Sequence, residues 1–137
     1  MADTLEAGIY TTLAADAALG AIVGDNIFPE KASEEVSLPY IVFTTSTEEG
    51  VHNQVGGGSL ALTQIQFTVW AESSVVRLSV KEALRTIFDG KIRQTFGSSF
   101  CASVRNSNNT NVTEAPDDGS QNYQFGVHMD FNFWHER

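Results

Sequence analysis

The chain has one cysteine, Cys101, and only eight basic residues in 137. A lone cysteine excludes a disulfide within the chain, which fits a reducing compartment. Eight bases against 17 acids leave a formal net charge of -9. That balance argues against nucleic-acid binding, which needs clustered Lys and Arg to displace counterions from phosphates. It equally disfavours docking on anionic membranes. No apolar run approaches the roughly 20 residues of a membrane helix, and the opening MADTLEA carries acids but no base, unlike a signal peptide. No CxxC, HExxH or DxDxDG spacing occurs, so neither a metal site nor a cofactor is expected. The expectation is a soluble chain at work in the cytoplasm.

With 42% hydrophobic residues, the sequence can bury a core, and its length suggests a single domain over 1–137. Leu5, Ile9 and Leu13 recur at helical spacing behind Thr4, a helix-capping residue type. A second, short helix is expected from Asp16, burying Leu19, Ile22 and Val23 and stopped by Gly24. Ile27 to Pro29 reads as a short extended piece. Strands are expected over Tyr40 to Thr45 and Leu60 to Ala71, where Ile65, Phe67 and Val69 alternate with Gln64, Gln66 and Thr68. Ser73 or Ser74 begins a helix over 74–89 with Val76, Val80, Ala83, Leu84 and Ile87 on one stripe. Further strands are expected over Phe100 to Arg105 and Tyr123 to Trp134, the latter with the cleanest alternation in the chain. Segments 46–59 and 105–122 read as long polar loops. The expected fold is α+β: a mainly antiparallel four-stranded sheet with helices packed on one face, in the order α-α-β-β-α-β-β.

Gly56, Gly57 and Gly58 could suggest a phosphate cradle, but a P-loop needs a following lysine and a helix N-terminus. These glycines lead instead into Ser59 and a strand, so Gln54 to Gly58 reads as a hairpin arm able to touch another protein. His128 and Asp130 share one strand face, yet no nucleophile motif such as GxSxG accompanies them, and a polar strand face is the simpler account. Trp70 and Trp134 also fall on the polar faces of their strands, where an aromatic can anchor an interface or lie under a covering loop. Asn109 and Asn111 sit in glycosylation-type triplets, which carry little meaning without a secretory route. The expected catalytic residues are none, and the interface candidates are Gln54, Gly56, Gly57, Gly58, Trp70, Asn109, Asn111, His128, Asp130 and Trp134.

Four segments in series, LAADAALGAIVGDNIFP, LPYIVFTTST, TQIQFTVWAES and HMDFNFWHE, together resemble the tail completion or tail terminator proteins of long-tailed bacteriophages and prophages. That resemblance implies a small α+β subunit of the virion, assembled in the host cytoplasm and placed at the head-proximal end of the tail. There it would form a ring, a hexamer in this family, that stops tube polymerisation and offers the surface joined to the head. The implied partners are further copies of itself, the tail tube protein and head–tail connector proteins, with no catalytic residues to carry over. Two other readings stay open: a head–tail connector or neck protein, and a small cytoplasmic enzyme or ligand-binding domain using His128 and Asp130.

Overall fold

In the computed structural model, residues 4–24, 26–29, 38–53, 56–96, 99–114 and 124–136 are described. Helix α1 spans Thr4–Ala15, and Leu5, Ile9 and Leu13, four residues apart, are its buried stripe. Helix α2, Ala17–Val23, starts where the Asp16 carboxylate accepts a 2.9 Å hydrogen bond from the Leu19 amide. Gly24 ends it at a φ of 60°, a conformation that costs glycine little. Helix α3, Ser74–Phe88, is capped by Ser73, whose hydroxyl accepts from the Val76 amide at 3.2 Å. Val80, Leu84 and Phe88 form its buried stripe.

Six strands, β1 (Ile27–Pro29), β2 (Tyr40–Asn53), β3 (Gly56–Ala71), β4 (Ile92–Phe96), β5 (Ser99–Glu114) and β6 (Gln124–Glu136), make one sheet in the order β1-β2-β3-β6-β5-β4. The expectation of a mainly antiparallel four-stranded sheet is therefore corrected: the described residues hold six strands, and the sheet is mixed because β1 runs parallel to β2. The element order becomes α-α-β-β-β-α-β-β-β. Three residues of β1 suffice because they pair with the first residues of β2, Ile27 with Ile41 and Pro29 with Phe43. β4 escaped the sequence reading because Ile92 to Thr95 are all exposed, leaving no alternation to detect.

The described parts of the two expected loops, 46–53, 56–59 and 105–114, are strand, and 54–55 and 115–122 lie outside the described residues. β2 runs on to Asn53 and β3 begins at Gly56, so 46–53 and 56–59 form the outer part of a hairpin. β5 continues through the asparagine-rich stretch to Glu114, paired with β6 down to Gln124. Ladder bonds are made by backbone, so a partner as regular as β6 can hold a segment whose side chains have little strand preference.

One face of the sheet carries Ile41, Phe43, Ile65, Phe67, Val69, Val104, Val127, Met129, Phe131 and Phe133, all fully buried. The apolar stripes of α1, α2 and α3 join them in one core. α1 touches both β1 and β4, so the sheet curls around it, as a right-handed strand twist allows. At the centre, the Phe88 ring lies 5.4 Å from those of Phe67 and Phe96, 5.6 Å from Phe133 and 5.9 Å from Phe131. Cys101 is fully buried beside β4, and burial pushes its thiol up from 9.0 to about 12, which makes it a poor nucleophile.

Candidate assembly surfaces

Among the described residues, helices pack on one face of the sheet, and the register shows what the other face presents. Across β2, β3, β6 and β5 the rows run Tyr40–Trp70–Gly126–Val112, then Val42–Thr68–His128–Thr110, then Thr44–Gln66–Asp130–Asn108. On β3 and β6 the pattern continues with Gln64 opposite Asn132 and Leu62 opposite Trp134. Trp70, His128, Asp130 and Trp134 are thus brought to one surface, each partly exposed.

His128 and Asp130 do not engage each other as an acid–base pair. His128 Nδ1 lies 3.1 Å from Thr68 Oγ1, and Asp130 Oδ1 accepts from Gln66 Nε2 at 3.3 Å. Each bond crosses to the neighbouring strand, the sheet's ordinary way of satisfying polar side chains. His135, on the opposite face, is buried with its Nε2 2.6 Å from Thr63 Oγ1.

Trp70 has a specific seat. It stands opposite Gly126, and a Cβ at that position would come within 2.8 Å of Trp70 Cε3 and Cζ3 and 3.0 Å of the Val69 carbonyl. The indole lies over the missing side chain, closing the gap a glycine leaves in a strand. Gly126→Ala should therefore displace the ring and destabilise the chain by about 1–3 kcal/mol. Urea unfolding with tryptophan emission checks this. In a Trp70→Ala background the same substitution should cost less, since the clash with the ring is gone and only the approach to the Val69 carbonyl remains.

Gly56 and Gly57 pair with Asn53 and His52, placing Gly56, Gly57 and Gly58 at the base of β3 in an extended arm. β6 pairs with β3 from Leu60 onward, so the outer part of this arm lies beyond its reach. These glycines open a strand and not a helix, so they lack the geometry of a phosphate cradle. Gln54 lies outside the described residues. Asn109 is occupied locally: its amide and that of Asn106 donate to each other at 2.9 Å across the register shift between Asn106 and Asn108. Asn111 is exposed, and it helps line a hollow of about 280 Å³ with Ser74, Val75, Arg77, Leu78 and Lys81.

That hollow exposes what the sequence reading passed over. Val75 is 72% exposed and Leu78 54%, two large apolar side chains on the outer face of α3. Their signal was present, since an apolar pair three residues apart and off the buried stripe has no use in the core. Arg77 is braced between them, its guanidinium donating at 3.4 Å to the carbonyls of Val112 and Gly126 and standing over the Phe125 ring.

The comparisons with known proteins fit a surface-built molecule. No curated protein sequence matches the chain. A chain in the structure described as "Virion of native gene transfer agent (GTA) particle" shares the fold, with a TM-score of 0.72 over 99% of this chain and 97% of its own, at 15% identity. Residues 7–94, from α1 through the first half of β4, match the family model described as Tail completion protein gp17. This match spans well over half of the sequence, and the chain belongs to the Tail completion protein gp17 family of bacteriophage tail structural proteins.

Proposed function

We propose that this protein is a tail terminator: copies of it close into a ring on the head-proximal end of the tail tube, stop its growth and form the surface that meets the head. Family membership carries the reading. The fold neighbour's place in a virion supports it. So does the shape of the subunit, with a two-stranded arm extending beyond the sheet and apolar side chains left open on α3. Closed rings need heterologous contacts, in which one patch meets a different patch on the next copy, and projecting arms serve such contacts well. The His128 and Asp130 side chains belong to a cross-strand polar lattice on the face turned away from the described helices, which suits a contact surface better than a reaction centre.

The test is the mass of the purified protein by light scattering, across concentration and salt, alone and with tail tube protein. A ring, formed alone or on tube ends, is expected. A monomer that ignores the tube but binds a portal-side adaptor would replace the terminator reading with that of a connector.

A further inference from the structure

The second half of β5 is an edge strand without the usual protections. β4 pairs only with Ser99 to Ser103. The link after α3 occupies the next residues: Gly90 and Lys91 bond Val104, and the Asp89 carboxylate accepts from the Asn106 amide. From Ser107 on, no described strand lies on the side of β5 away from β6. Ser107 to Asn111 and Thr113 are exposed, on both faces of the strand. Native edges are commonly blunted by a charge, a proline or a bulge. Residues 108–113, NNTNVT, have none of these, because the register shift falls between Asn106 and Asn108.

The ladder fixes where the free backbone groups point. Val104 bonds through its N–H to Lys91 and through its C=O to Gly90, so it and its β6 partner Phe133 aim their backbone groups apart. β6 pairs with β3 without a register shift, so Phe125, Val127 and Met129 repeat the orientation of Phe133. Their β5 partners, Asn109, Asn111 and Thr113, therefore aim N–H and C=O outward, past the sheet edge. Beside this edge stands α3. It runs antiparallel to β5, since Arg77 donates to the Val112 carbonyl and Asp89 accepts from the Asn106 amide. The exposed Val75 and Leu78 thus flank the edge near Asn111, with which they line the hollow. Lys81, about one turn further along the helix, lies on the Asn109 side.

We propose that this edge pairs with the same edge of a second copy of the chain. The two β5 strands run antiparallel about a two-fold axis at Asn111, with Asn109 of each copy opposite Thr113 of the other. Val75 and Leu78 of the two α3 helices meet over the joined strands. The outward groups at Asn109, Asn111 and Thr113 are symmetric about Asn111, so this pairing bonds every one of them. Residues 106–113 carry no charge in a chain of -9, so two copies meet there without like-charge repulsion. The apolar pair of α3 lies near the axis, where an equal patch covers it, whereas the two Lys81 side chains fall on opposite sides of it. The inference goes beyond the ring reading and does not rest on it, because a pair in solution and a ring on a tube end are separate species.

Sedimentation of the chain alone, without tube protein, should show a monomer–dimer equilibrium. Asn111→Pro removes one outward N–H and leaves the β6 ladder intact, and Leu78→Glu sets two like charges near the axis. Each should weaken the dimer at least about tenfold. Circular dichroism and an unchanged urea midpoint confirm that both variants fold. One cysteine then reads the symmetry. Asn111→Cys should give a disulfide-linked dimer under mild oxidation, since residues paired across antiparallel strands have Cα atoms about 5.5 Å apart, within disulfide reach. Ala14→Cys, exposed on α1, should link at least about ten times more slowly at the same concentration. The buried, unreactive Cys101 stays out of that reaction. A chain monomeric at every concentration, a dimer indifferent to both substitutions, or an Asn111→Cys chain that links no faster than Ala14→Cys overturns the two-fold pair and leaves the ring reading standing.

Discussion

Phe88→Ala is expected to lower the stability of the subunit by about 3–5 kcal/mol, a large part of the 5–15 kcal/mol that holds a typical domain together. Phe88 is fully buried and its ring meets four others, those of Phe67, Phe96, Phe131 and Phe133. Those neighbours come from β3, β4 and β6, so the ring ties α3 to both halves of the sheet. Alanine would leave a cavity among rigid rings that cannot collapse to fill it. Urea denaturation should show a lower midpoint with little change in slope. Ile87→Ala, one residue earlier and only partly buried, should cost clearly less, and equal losses would show that the aromatic cluster is not the centre of the core.

Deleting Gln54 to Gly58 should have the opposite profile: a subunit as stable as wild type within about 1 kcal/mol, and at least a tenfold loss in assembly on tube ends, about 1.4 kcal/mol or more of binding free energy. The deletion trims the outer arm, beyond the point where β6 pairs with β3. The Gly50–Ala61 pair remains, joined through Val51, His52, Asn53, Ser59 and Leu60, a connection of ordinary length for a hairpin. Thermal unfolding and sedimentation with tube protein separate the two effects. Intact assembly would show that the arm makes no contact of consequence, whereas a collapse in stability would make it part of the fold.

What the sequence disclosed was local chemistry. Asp16, Gly24 and Ser73 could be read as caps because capping depends on a side chain and backbone groups a few residues away. The buried face of β6 could be read from its alternation, and Val127, Met129, Phe131 and Phe133 are all in the core. Strand pairing was not legible in the same way. Asn106 to Glu114 has the composition of a loop and becomes strand because β6 lies beside it. β1 is only three residues long, and its role depends on β2. The helical stripe of α3 was read as ending at Ile87, whereas packing turns Phe88 inward.

The candidate surfaces divide along the same line. Alternation correctly put Trp70, His128, Asp130 and Trp134 on one side of their strands. It could not show that Gly126 lies under the Trp70 ring, or that Thr68 and Gln66 hold His128 and Asp130, since both facts depend on the β3–β6 register. Asn111 was singled out for a sequon and turns out to line the hollow on α3.

The strand order also bears on how the subunit is made. β6 comes after every other strand in the chain and yet lies at the middle of the sheet, between β3 and β5. Until it is synthesised, β1–β2–β3 and β4–β5 are two separate ribbons whose inner edges have no partner, an arrangement prone to wrong pairings and slow to close. Its insertion zips residues as far apart in sequence as Leu60 and Glu136. A chain cut short before β6 has no continuous sheet to support its arm or its α3 flank. The one strand that unites the sheet is thus the last to be made.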